Sequence, residues 1–93
     1  MELKDYRAQI DRIDAEILRL FAERMELAAQ IAAYKKAHGL AVLDSARELE
    51  KLREVAEKLP EPLRCYGAQW YERLFALSRS YQEALLGEDG GVK

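Results

Sequence analysis

The 93-residue chain carries 15 Lys and Arg against 17 Asp and Glu, with 49% apolar and 34% charged residues. No basic run is dense enough for a nucleic-acid footprint, and no segment approaches the ~20 apolar residues that cross a bilayer. A single Cys and a single His exclude an intrachain disulfide and the usual zinc sets, and the acidic, amphipathic N-terminus lacks the apolar block of a signal peptide, so a cytoplasmic protein with one domain is expected.

Read at alternating steps of three and four, the first third gives Leu3, Tyr6, Ile10, Ile13, Ile17, Leu20, Arg24, Leu27, Ile31 and Tyr34. This a/d pattern predicts a helix from about Leu3 to Lys36, packed along its length against others. A basic last turn of Lys35, Lys36 and His38 precedes Gly39, where a left-handed C-terminal cap is expected. Such a helix is about 50 Å long, against ~35 Å for the diameter of a compact chain of this size. A dimer accommodates the overhang.

Residues 39–43 form a short apolar link. Ser45 to Glu48 then fits a capping box, with Asp44 as a competing cap. A second helix is expected to about Leu59, with Ala46, Leu49, Leu52, Val55, Ala56 and Leu59 facing inward. Pro60-Glu61-Pro62 ends it, and Pro62 suits the first turn of a third helix. That helix is expected to reach Leu86, burying Leu63, Tyr66, Trp70, Leu74, Leu77, Tyr81 and Leu85. Gly87 stops it, and residues 87–93 read as a flexible tail to a helical domain of residues 1–86. The fold class is all-α: three helices per chain, one very long, in an intertwined homodimer.

Arg24 interrupts the apolar seam with a permanent charge. A register-fixing role, a side chain that snorkels to the edge, an ion pair with a neighbouring helix, or a bound anion would each answer it. Lys35 lies eleven residues on, within about 20° of the same helix face and ~16 Å along the axis. Two long cations reaching toward each other leave room for a small dianion. Arg7 lies ~25 Å away along the helix, so only an antiparallel partner could bring its own Arg7 to that site. Ser78 and Gln82, four residues apart, share a helix face beside the Leu77–Tyr81 stripe.

Taken jointly, in order and spacing, Arg7-x-x-Ile10-Asp11-x-Ile13-Asp14, Leu20-x-x-x-Arg24, Tyr34-Lys35-Lys36, Val42-Leu43-Asp44-x-x-Arg47-Glu48 and Ser78-Arg79-x-x-Gln82 resemble the all-helical chorismate mutases. The resemblance spans about residues 3 to 86. It implies an isomerase that rearranges chorismate to prephenate, on the route to phenylalanine and tyrosine, without metal or cofactor. It also implies a homodimer, with Arg24 and the partner's Arg7 on the two substrate carboxylates. Lys35 and Gln82 would donate to the ether oxygen, and Glu48 would accept from the ring hydroxyl near the backbone of Asp44. Ser78 and Arg47 would sit by the ring carboxylate. Two other readings stay open: an isochorismate-pyruvate lyase on the same scaffold, and a non-catalytic helical dimerisation or regulatory module.

Overall fold

A computed structural model describes residues 1–87. Three α-helices follow one another: α1 (Leu3–Ala37), α2 (Ser45–Lys58) and α3 (Arg64–Leu86), with a 3-10 turn at Glu61–Leu63 leading into α3. There is no strand among the described residues. No described helix is long and apolar enough to cross a membrane. The molecule measures 53 × 26 × 20 Å, its long dimension matching the ~1.5 Å rise per residue of a helix the length of α1.

α1 is uninterrupted because nothing in it breaks a helix: residues 3–37 contain neither Pro nor Gly. Its end is a Schellman closure. Gly39 takes φ +66°, its N–H donates to the Lys36 carbonyl at 3.4 Å, and the Leu40 N–H donates to the Lys35 carbonyl at 2.8 Å. The cap turns the chain back, so the link to α2 runs beside the last turn of α1.

At the start of α2, Asp44 is the cap, its side chain accepting from the Arg47 backbone N–H at 3.1 Å. The expected Ser45–Glu48 capping box does not form. Ser45 is already inside the helix, and the Glu48 side chain is engaged by Arg79 on α3. Leu52, Val55, Ala56 and Leu59 are half-buried toward α3, but Ala46 and Leu49 are exposed. The inward stripe of α2 is therefore shorter than its apolar periodicity suggested.

The buried face of α3 also differs from expectation. Within the chain, Gly67, Phe75, Ser78 and Gln82 are buried, whereas Leu63, Tyr66, Trp70, Leu77, Tyr81 and Leu85 remain 37–71% exposed. The reason is close approach. Ala28 and Ala32 are the buried residues of α1, and at Gly67 an added Cβ would lie 2.2 Å from Cδ1 of Leu59, the C-cap of α2. Small side chains set the helix spacing, and the bulky stripe turns outward. Most of the α1 seam is likewise exposed, from Leu3 at 61% to Tyr34 at 59%. Gly87 closes α3, its N–H donating to the Glu83 carbonyl at 2.8 Å. The expected flexible tail lies, beyond Gly87, outside the described residues.

Candidate active site

The three helices converge on a cleft of about 480 Å³. α1 supplies Arg24, Leu27, Ala28, Ile31 and Lys35, and the link supplies Val42 and Asp44. α2 adds Arg47, Glu48 and Lys51, while α3 adds Phe75, Ser78, Arg79 and Gln82. Seven of the eight residues singled out from the sequence thus meet in one place. Arg7 does not, because it lies on the exposed far part of α1.

The polar contacts show which groups are still available to a ligand. Five cationic side chains face two carboxylates in the lining. Arg79 pairs with Glu48, Arg47 with Glu50 at 2.9 Å and Lys51 with Glu54 at 2.8 Å. Hydrogen bonds from Lys51 and then Lys58 hold the Glu54 carboxyl below its usual range. That leaves Arg24 and Lys35, neither of which has a carboxylate partner among the described residues. Arg24 is half-buried, its guanidinium carbon 6.0 Å from the centroid of Phe75. Lys35 donates to the Val42 carbonyl at 2.7 Å, which ties the link to α1 and uses one of its three donors. Net positive charge concentrated on two groups in a concave, partly apolar site suits a small dianion.

On the opposite wall Gln82 donates to Ser78 Oγ at 3.0 Å, and both side chains are buried. Gln82 Oε1 has no hydrogen-bond partner among the described residues. A second cleft, of about 600 Å³, lies between α2 and α3 near Trp70. Its two cations, Lys51 and Lys58, both pair with Glu54, so neither is as available to a ligand as Arg24 and Lys35 are. Among the described residues no group of three or more His, Cys, Asp or Glu could hold a metal ion.

Arg79, Phe75 and Lys51 line the cleft without having been singled out as site residues. Arg79 was legible only as a member of the Ser78-Arg79-x-x-Gln82 string. Its partner is 31 residues away, and no local periodicity reports that. The Val42 carbonyl, being backbone, carries no signal in the sequence.

Residues 6–83 match the family model described as chorismate mutase type II. The chain belongs to this family. Relatives of the type II chorismate mutase domain include a protein named T-protein from Haemophilus influenzae, 43% identical over 51 residues, which are 55% of this chain and 14% of that protein. A bifunctional chorismate mutase/prephenate dehydratase from Aquifex aeolicus is 47% identical over 58 residues, 62% of this chain and 15% of that protein. A T-protein from Enterobacter agglomerans is 39% identical over 64 residues, 66% of this chain and 17% of its own length. The chain thus spans about a seventh of the length of the curated relatives it matches. It has no significant match among solved structures.

Proposed function

We propose that this chain is a chorismate mutase, converting chorismate to prephenate by an intramolecular Claisen rearrangement. The observation that carries this reading is the pair of cations, Arg24 and Lys35, without carboxylate partners among the described residues, facing the buried Ser78–Gln82 pair across one cleft. Family membership supports it, as does the printed name of the Aquifex relative.

The rearrangement breaks the ether C–O bond as a C–C bond forms, within one molecule and with no proton transfer. A protein accelerates such a step by holding the substrate in its compact reactive conformer and by stabilising charge that develops on the ether oxygen. Arg24 binds one carboxylate, for which its planar fork is suited. Lys35 keeps two N–H donors beyond the one given to Val42, and with the Gln82 amide it stabilises the oxygen. Glu48 accepts from the ring hydroxyl near the Asp44 backbone, and Ser78 and Arg47 lie by the ring carboxylate. Arg47 must leave its exposed pairing with Glu50 to do so, at little cost for a surface ion pair.

The second carboxylate calls for a further cation, which we assign to the partner's Arg7 in an intertwined homodimer. Three features support that assembly: the length of α1, the exposed apolar seam along it, and the exposed Tyr66–Trp70–Leu77–Tyr81 stripe of α3. Together they leave many large apolar side chains in contact with water, which a partner chain would cover.

The test is incubation with chorismate and, separately, isochorismate, with products separated by chromatography. Prephenate from chorismate is expected. Pyruvate and salicylate from isochorismate alone would assign the chain to the lyase reading, and no turnover of either would leave the non-catalytic module.

A further inference from the structure

The proposed chemistry uses Glu48 but gives no role to Arg79, its ion-pair partner in the cleft. The pair joins α2 to α3 across 31 residues of sequence, whereas the other ion pairs among the described residues lie three or four apart on one helix. Its side chains are only 30% and 23% exposed, and both line the cleft. An isolated surface pair contributes little, but a partly covered pair at a binding site acts on whatever binds there.

We propose that Arg79 is a positioning residue for Glu48. It holds one carboxylate oxygen, cancels that charge in a cleft that receives a dianion, and leaves the other oxygen to accept from the substrate's ring hydroxyl. The inference rests on the mutase reading.

Two physical arguments carry it. A bare carboxylate beside a dicarboxylate substrate repels it, and in a partly covered cleft that repulsion is weakly screened. Moreover, Glu is a flexible side chain, and the cleft holds two cations, Arg24 and Lys35, without carboxylate partners among the described residues. Lys51, one turn along α2 from Glu48, is already held by Glu54. Without Arg79, the Glu48 carboxylate would be drawn to Lys35 or Arg24 and would occupy the groups meant for the substrate. Arg79 therefore keeps Glu48 in place and the two clamp cations available. Its position also links the hydroxyl acceptor on α2 to the helix carrying Ser78 and Gln82.

Steady-state kinetics on chorismate with the full chain provide the test, comparing wild type, Arg79→Ala, Arg79→Lys, Glu48→Gln and the Arg79→Ala/Glu48→Gln double variant. Arg79→Ala should lower kcat/KM by about tenfold to hundredfold, the range for losing a charged hydrogen bond, mainly through KM. Arg79→Lys, which keeps the charge, should recover most of that affinity. In the Glu48→Gln background there is no charge to cancel, so adding Arg79→Ala should cost only about twofold, the non-additivity of coupled residues. An undiminished cost in that background, or no rescue by Lys, would overturn the assignment, because Arg79 would then act on the substrate directly or only on the fold. If Arg79→Ala does not fold, Arg79→Gln replaces it in the same comparison. Wild type that leaves chorismate unchanged defeats the mutase reading and this inference with it. Active wild type with an equally active Arg79→Ala defeats this inference alone.

Discussion

Gln82 donates to the Ser78 hydroxyl at 3.0 Å, yet its own Oε1 is buried without a hydrogen-bond partner. A buried orphan oxygen costs about 1–3 kcal/mol, and a half-turn of the terminal amide passes the unmade bond from Oε1 to the NH2 group, where a ligand can complete it. Ser78 then donates to Oε1, and the NH2 group becomes the free end, ready to donate to a ligand. Such a donor, fixed by a neighbouring hydroxyl before the substrate arrives, is what charge development on an ether oxygen requires.

The first prediction follows for Gln82→Glu. A carboxylate only accepts, so the variant can donate to the ether oxygen only when protonated. Its activity should be highest at low pH and fall as pH rises through the new acid's pKa. Burial raises that pKa above the ordinary ~4.3. At neutral pH kcat should be down by about 10²–10³, whereas Gln82→Ala should be low at every pH. Profiles of kcat against pH decide it. A flat profile for Gln82→Glu would show that Gln82 is not the donor.

Arg24→Ala separates binding from folding. Arg24 is half-buried and stands 6.0 Å over Phe75, a cation–π contact contributing about 0.5–1 kcal/mol. Among the described residues no carboxylate is left unpaired by its removal. Stability measured by urea unfolding should therefore change by less than about 1 kcal/mol. kcat/KM should fall by at least about 2 kcal/mol of transition-state binding, the scale of a charge-assisted hydrogen bond. A variant that unfolds, beside a wild type that binds no dicarboxylate, would return Arg24 to a purely structural role.

How much of this was legible in the sequence depends on range. Within one helix the signals were strong: the unbroken span of α1, the Gly39 cap and the Pro60–Pro62 break all match the structure, whereas the packing expected along the a/d seam is not made within the chain. The choice between Asp44 and Ser45 as cap could not be made from α2 alone, because it turns on Glu48 being drawn to Arg79 on α3. The face of α3 buried within the chain differs from the expected one because Leu, Tyr and Trp mark an apolar stripe more loudly than Gly67 and Ser78 do. The spacing of the helices selects the small residues. For the site, Arg24, Lys35, Ser78 and Gln82 stood out as polar groups on or beside apolar stripes. Arg79 did not, since a lone Arg on a helix is ordinarily solvated.

Complementation tests the shared site. Arg7 is exposed on α1 and absent from its own chain's cleft, so a defect there belongs to the partner's site in the proposed dimer. Arg7→Ala and Lys35→Ala homodimers should each be nearly inactive. Mixed and allowed to exchange, they should form hybrids in which one of the two sites is intact, restoring up to about a quarter of wild-type activity for random pairing of symmetric dimers. Sedimentation or native mass spectrometry would verify exchange. Hybrids that form but remain inactive would exclude Arg7 from the neighbouring site.

The last prediction concerns the cap of α2, which sets the direction from which Arg47 and Glu48 enter the cleft. Asp44 accepts from the Arg47 N–H at 3.1 Å, so Asp44→Ala should cost about 1 kcal/mol of stability. Asp44→Asn should cost almost nothing, because Asn caps equally well. Ser45 makes no cap and sits inside the helix, so Ser45→Ala should be neutral or gain up to about 0.5 kcal/mol from helix propensity. Urea unfolding of the three variants distinguishes the two capping schemes. A capping box would instead make Ser45→Ala the destabilising change and leave Asp44→Ala nearly silent. Because Asp44 also lines the cleft, Asp44→Ala should raise KM for chorismate while Ser45→Ala leaves it unchanged.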